Sequence, residues 1–119
     1  MVSHWCSTEG KSLKDSFIAE MLNAQIAIDF SLKAADIIRK RYPRLSDSDE
    51  WDPNDVEHIR SFNKDMECGV NMYITLKDLY QKEFNDFDKV EALIKATANS
   101  VSDDMLVKFG WIKEEAKCC

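Results

Sequence analysis

Residues 17–30 read FIAEMLNAQIAIDF, and ten of the fourteen side chains are apolar, with neither Gly nor Pro among them. A helix on the surface of a protein carries an apolar stripe on one side only. A helix that is apolar around most of its circumference must be covered by neighbouring elements. This stretch therefore predicts a central helix in a bundle, or a helix that is also buried against a second copy of the chain.

The apolar spacing extends this first helix in both directions. From Leu13 to Tyr42, apolar residues recur every three or four positions, a spacing that places them on one face of a helix. Ser12 and Asp15 resemble a capping box in which Asp replaces Glu. Pro43 ends the helix, because the residue before a proline is disfavoured in the α region. We expect a helix of about 30 residues, roughly 45 Å long.

A second long helix is predicted to begin after Asp52. Asp52 is a suitable N-cap, and Pro53 stands in the first turn, where its missing N–H costs nothing. An apolar stripe continues from Val56 to Phe84, so the two long helices are expected to form an antiparallel hairpin. Gly69 interrupts the stripe at a cost of about 1 kcal/mol relative to Ala. A close helix crossing or a slight bend is expected there.

The C-terminal part of the chain predicts two shorter helices. Residues 85–88 read NDFD, which is typical of a helix start, and an amphipathic pattern follows to Ala98. Ser100–Ser102 is expected to interrupt this helix. A last helix then follows from Met105, with a stop expected near Phe109.

Length and composition agree with an all-α fold. The chain has 119 residues, which is a one-domain length, and only 3 Gly and 2 Pro for tight turns, which disfavours an all-β protein. We predict one all-α domain over residues 1–119, an up-down antiparallel helical bundle with two long helices and two shorter C-terminal helices. Residues 1–11 carry no periodic pattern and are expected to form an N-terminal arm. Residues 113–119 are expected to form a frayed tail.

The net charge of the chain disfavours two classes of binding partner, nucleic acids and anionic membranes. The formal net charge is −6 and the pI is near 4.9, so the phosphates of nucleic acids and of anionic membranes would repel the protein on average. We expect neither as a partner. The sequence shows no signal peptide and no apolar run long enough to span a membrane, which favours a cytoplasmic location.

The four cysteines do not indicate a metal site. None of them forms a Cys-x-x-Cys pair, the spacing typical of zinc sites. We therefore expect no metal and no cofactor. The pair Cys118–Cys119 is compatible with a double lipidation signal and with an exposed, oxidation-prone tail, and both interpretations stay open.

The loop between the two long helices is the first candidate site. It is acidic and contains a tryptophan, a residue enriched at binding surfaces although it also seals the ends of bundles. A calcium loop is excluded, because counting from Asp47 the sixth and twelfth residues are not the required Gly and Glu. The predicted interaction surface consists of Asp47, Asp49, Glu50, Trp51 and Asp55.

A polar site between the helices is the alternative. Glu20 and Asp29 interrupt the apolar first helix, and His58 follows Asp55 by three positions, a spacing that places both on one helix face. Glu83 begins a Glu-x-x-Asp string, but the second pair of carboxylates that a magnesium–phosphate site requires is missing. The alternative site therefore consists of Glu20, Asp29, His58 and Glu83.

The sequence contains no recognisable catalytic set, phosphate-binding loop or dinucleotide fingerprint. Together with the acidic surface and the excess of apolar helix area, this favours a non-enzymatic protein-interaction module of the inhibitor, immunity-protein or adaptor type. We expect another protein as its partner and a homodimer as its own state. The alternative is a helical-bundle enzyme or ligand carrier with a carboxylate and histidine site, including metal-dependent nucleotide hydrolysis.

Overall fold

The computed structural model describes residues 12–113, and they form three α-helices. Helix α1 spans Leu13–Arg39, α2 spans Pro53–Glu83 and α3 spans Phe87–Lys108. A one-turn 3-10 helix, Ser48–Glu50, lies between α1 and α2. No strand occurs in this part of the chain, which confirms the all-α class. The predicted arm of residues 1–11 and most of the predicted tail lie outside the described residues.

Local capping signals set the start of both long helices. The Ser12 hydroxyl accepts a hydrogen bond from the Asp15 backbone N–H at 3.1 Å, and the Asp52 carboxylate accepts one from the Asn54 N–H at 2.8 Å. These bonds satisfy N–H groups that have no partner inside the helix. Both predicted N-caps are confirmed. Within residues 12–113, no helix is both long enough and apolar enough to cross a membrane.

The prediction of two shorter C-terminal helices is wrong, because α3 is one helix of 22 residues that continues through Ser100–Ser102. Ser102 is fully buried. Its hydroxyl donates to the backbone carbonyl of Asn99 at 3.0 Å and accepts from the ammonium of Lys33 at 3.0 Å. A serine inside a helix is tolerated when its hydroxyl is paired in this way. The side chain that pairs with the Ser102 hydroxyl, Lys33, belongs to α1.

The chain leaves α3 through a Schellman turn close to the predicted stop. Gly110 has a φ of 83°, a conformation in which a side chain would be strained. The Trp111 N–H donates to the Leu106 carbonyl at 2.8 Å, and the Gly110 N–H donates to the Val107 carbonyl at 3.1 Å. This pair of bonds satisfies two carbonyls at the helix end. It also directs Trp111 back towards α2.

Helix α1 is central, since it packs against both α2 and α3, which hardly touch each other. The main core cluster joins all three helices near the start of α1, where Met21, Tyr80 and Ile94 are almost completely buried. Residues 17–30 are not covered on every side, however. Asn23 is exposed and Phe30 is only half-buried, because α2 and α3 leave one flank of α1 open.

Helices α1 and α2 approach closely at Gly69. A Cβ atom placed on this glycine would lie 2.9 Å from Cγ1 of Ile28 and 3.1 Å from the carbonyl oxygen of Ala24. Both distances are shorter than ordinary van der Waals contact. Of the alternatives that the sequence leaves open at Gly69, the structure shows the close crossing.

At one end of the bundle, the hydrogen bonds of a single carboxylate connect all three helices. Asp86, which precedes α3, accepts hydrogen bonds from the ammonium of Lys14 on α1 and from the hydroxyl of Tyr80 on α2. The Lys14 hydrogen bond, followed by the Tyr80 hydrogen bond, lowers the pKa of Asp86 below its ordinary value.

Candidate functional site

An apolar groove of about 500 Å³ opens between the three helices, a volume typical of binding pockets. Helix α1 forms its floor with small side chains, Ala24, Ala27 and Ser31. Phe30 lies at one end of the groove. The residues contributed by the other two helices are Asp65, Cys68, Gly69 and Met72 from α2 and Met105 from α3.

The groove is open because few contacts join α2 to α3. At the start of α3, the Phe87 ring lies edge-on to Tyr73 with 6.4 Å between ring centroids. Beyond its end, Trp111 contacts His58 and Phe62, with centroid distances of 5.5 Å and 5.4 Å. Between these contacts the two helices stand apart. On the α1 floor, Ala27 is partly exposed there, whereas Ala24 and Ser31 are each 3% exposed.

The walls of the groove are adaptable rather than rigid. Met72 is 52% exposed and Met105 is half-buried, and unbranched methionine side chains adjust readily to the shape of an apolar guest. Asp65 is the one charged residue in the lining. No Lys or Arg within residues 12–113 forms an ion pair with it. The groove therefore offers apolar contact and one carboxylate at its rim.

The acidic loop presents part of the predicted interaction surface to solvent. Asp47, Asp49 and Glu50 are exposed. Trp51 is half-buried and stacks on Tyr42, with 4.6 Å between ring centroids and 5° between ring planes. Trp51 thus seals the end of the α1–α2 hairpin, which is the cap role of a bundle tryptophan.

Asp55 lies in the first turn of α2, next to this loop, and faces the interior. It is only 8% exposed, and its carboxylate accepts hydrogen bonds from the Tyr42 hydroxyl at 2.5 Å and from Nη1 of Arg41 at 2.8 Å. The Tyr42 hydrogen bond, followed by the contacts with Arg41, lowers the pKa of Asp55 against the opposing effect of burial. The carboxylate therefore ties the start of α2 to the end of α1.

Replacing Asp55 with Asn is expected to lower the free energy of unfolding by about 1–2 kcal/mol at pH 7, the range for a lost charge-assisted hydrogen bond. A lowered pKa means that the stabilisation is present above the unfolded-state pKa of about 3.9 and is lost as the pH falls through the folded-state value. Urea unfolding of both proteins at pH 7 and pH 3 should show the difference shrinking in acid. Asp49→Asn, an exposed change in the loop before α2, is the control. A difference that is constant with pH would contradict the ion-pair account.

The four residues of the alternative polar site do not come together. Glu20 is exposed, and Asp29 is half-buried and accepts a hydrogen bond from Nε2 of Gln25 at 2.9 Å. His58 and Glu83 are exposed near opposite ends of α2, about 37 Å apart along the helix axis at 1.5 Å per residue. None of the four lines the groove.

The remaining polar side chains of the described residues are not grouped as metal ligands. Within residues 12–113, no group of three or more His, Cys, Asp or Glu side chains is placed to hold a metal ion.

Two buried polar atoms, Nε1 of Trp51 and the hydroxyl of Tyr73, have no hydrogen-bond partner among these residues. Burial, followed by the charge of Glu91, raises the pKa of Tyr73 to about 12, so this phenol is neutral at physiological pH.

Sequence reasoning missed the groove as a site. The signals that could have indicated it are the small residues Ala24 and Ala27 on one flank of α1 and the methionine at position 72 of α2. These residues also fit a closed bundle core. In the structure Ala24 is indeed buried in the core, whereas Ala27 is partly exposed and Met72 is exposed.

No protein-family model, no curated protein and no solved structure matches this chain. The residues and their geometry are therefore the basis for the functional assignment.

Proposed function

We propose that this chain is a non-enzymatic protein-interaction module that binds an amphipathic helix with a basic residue on its flank. The groove floored by α1 is the observation that carries this proposal. Its lining is apolar apart from Asn23, Ser31 and Asp65, so an apolar helix face gains by burial there in proportion to the area removed from water.

The length of the groove fits this mode of binding. Its floor extends from Asn23 to Ser31 on α1, which is about 12 Å along the helix axis. A bound amphipathic helix uses anchors at positions i, i+3 or i+4, and i+7, and these positions span about 10 Å. Two turns of a partner helix therefore match the open part of the floor.

The charge of the chain favours a basic partner. Asp65 stands in the groove lining, and the exposed carboxylates of Asp47, Asp49 and Glu50 surround the loop at the end of the hairpin. With a net charge of −6, the protein attracts basic segments and repels acidic ones over a distance of about 8 Å at physiological ionic strength. The negative charge therefore favours basic partners, and the apolar lining supplies the surface that binds them.

Two designed peptides test this proposal, one a helix of Leu and Lys and the other its counterpart in which Glu replaces Lys. We expect the basic peptide to bind, and Met72→Glu to weaken its binding at least about tenfold, because a charge would be buried against the apolar face. Leu93→Glu changes a side chain that is 61% exposed outside the groove and is the matched control. Fluorescence anisotropy of labelled peptides gives both affinities.

Three results would contradict the proposal. The first is equal binding of the acidic and basic peptides. The second is binding that Leu93→Glu weakens as much as Met72→Glu does. The third is hydrolysis of nucleotides by the purified chain with added magnesium, which would favour the enzymatic alternative.

The homodimer expected from the sequence stays a prediction, and light scattering of the purified chain checks it.

A further inference from the structure

A cluster of aromatic rings continues the groove at the end where Phe30 lies. The cluster contains Phe30 from α1, His58 and Phe62 from α2, and Phe109 and Trp111 from the turn after α3. Neighbouring ring centroids lie 5.4–6.1 Å apart. Because Phe30 belongs both to this aromatic cluster and to the groove lining, a partner in the groove would also meet the cluster.

The rings of the aromatic cluster are partly open to solvent. Phe109 is 59% exposed, and Phe62 and Trp111 are half-buried. The face of an aromatic ring carries partial negative charge and attracts a cation that comes within about 6 Å of the ring centroid. The cluster therefore offers a surface that favours a positive group over a neutral one.

The cations of the described chain do not use this surface. Among residues 12–113, the lysines placed over an aromatic ring are Lys14, 5.6 Å from the centroid of Phe84, and Lys77, 5.0 Å from that of Phe87. Neither ring belongs to the aromatic cluster. A cation that binds the cluster would have to come from a partner, as far as these residues are concerned.

Asp65 stands beside the aromatic cluster on α2. It follows Phe62 by three positions, which places the two Cβ atoms about 5–6 Å apart on the helix surface. Its carboxylate lines the groove and forms no ion pair with a Lys or Arg of residues 12–113. By contrast, Asp78 on the same helix pairs with Lys82 at 3.3 Å. The aromatic faces and the carboxylate thus favour a cation at the same place.

From this juxtaposition we infer that Asp65 and the aromatic cluster together bind an arginine side chain of the partner helix. The inference rests on the proposed function and specifies the basic residue of the partner. A guanidinium is planar, stacks on aromatic faces and donates two parallel hydrogen bonds to one carboxylate. The ammonium of lysine is a compact and strongly hydrated point charge, so it uses this combination of groups less well.

The position of Asp65 also determines where the arginine lies on the partner. Asp65 and Met72 are seven positions apart on α2, which is about 10 Å along the helix axis. Partner anchors at positions i to i+7 cover the same length. A partner whose first anchor contacts Met72 therefore has its last anchor beside Asp65. The arginine belongs at that end of the anchor stretch.

Three peptides based on the helix of Leu and Lys test the inference. The first carries a single arginine on the flank at the end of the Leu anchors, and the second has lysine at that position. The third has the composition of the first, with its arginine on the face opposite the anchors. Measured by fluorescence anisotropy, the first peptide should bind about tenfold more tightly than the other two.

Variants of the protein show which groups produce this preference. Asp65→Asn and Trp111→Leu should each reduce it from about tenfold to about threefold or less. Trp111→Phe keeps an aromatic face and should retain most of the preference. Glu67→Gln removes an exposed carboxylate of α2 that does not line the groove, and this matched control should leave the preference unchanged. Far-ultraviolet circular dichroism shows whether each variant keeps its helices.

The outcomes separate this inference from the proposed function. If the three peptides bind the wild-type chain equally tightly, the inference is overturned and the proposed function stands. A preference that survives both Asp65→Asn and Trp111→Leu would also overturn it, as would a loss that Glu67→Gln reproduces. If none of the peptides binds, the proposed function fails and the inference fails with it.

Discussion

Replacing Ile94 with Ala is expected to lower the free energy of unfolding by about 3 kcal/mol, as deletion of a buried branched side chain removes transfer energy and leaves a cavity. Ile94 is 1% exposed and belongs to the core cluster that contains Met21 and Phe87. This cluster is where all three helices meet, so the cavity has little freedom to collapse. Urea unfolding monitored by circular dichroism measures the change.

The neighbouring residue provides the control for this substitution. Leu93 precedes Ile94 but is 61% exposed, so Leu93→Ala should change the stability by no more than about 0.5 kcal/mol. The contrast depends on which face α3 turns towards α1. If the two variants lost comparable free energy of unfolding, α3 would have to be rotated about its axis so that Leu93 also faced the core.

Replacing Gly69 with Leu is expected to lower the free energy of unfolding by about 3 kcal/mol, at the upper end of the usual cost of overpacking. The first added atom would already lie 2.9 Å from Ile28 and 3.1 Å from the backbone of Ala24. That backbone oxygen cannot move away unless α1 itself moves. Chemical denaturation at neutral pH again gives the magnitude.

A double-mutant cycle separates crowding from helix propensity at this position. Gly69→Ala should be destabilising by about 1 kcal/mol net, because crowding exceeds the propensity gain of about 1 kcal/mol. In a chain that carries Ile28→Ala, the atom nearest to the new Cβ is gone. The same substitution should then cost less or become favourable, which is a measurable coupling between the two sites. Purely additive effects would contradict the close approach.

The long helices could be predicted because their signals are local. Ser12 and Asp52 accept hydrogen bonds from backbone N–H groups two or three residues away, and the apolar period continues without interruption between them and the helix ends. Helix α1 ends at Arg39 rather than at Tyr42. Tyr42 lies beyond the end of the helix, where its hydroxyl donates a hydrogen bond to Asp55 and its ring stacks on Trp51.

The two departures from the sequence pattern involve partners far along the chain. The sequence predicts that Ser100–Ser102 interrupts a helix, but the ammonium of Lys33, 69 residues before Ser102, donates a hydrogen bond to the Ser102 hydroxyl. Asp55 belongs to an acidic stretch of the sequence, yet it lies in the first turn of α2 and its buried carboxylate accepts hydrogen bonds from Arg41 and Tyr42. Propensity describes a residue among its sequence neighbours, whereas these pairings exist only after the helices pack.

The sequence by itself determined the helical class and the starts of the long helices, since these follow from period and capping. It left alternatives for α1, a central helix or one buried against a second copy, and for Gly69, a close crossing or a bend. The tertiary structure alone decided that α3 is continuous, that few contacts join it to α2, and that a groove therefore remains beside α1. The physical reason is that an apolar period fixes which face of a helix is buried but not the direction in which the next helix crosses that face.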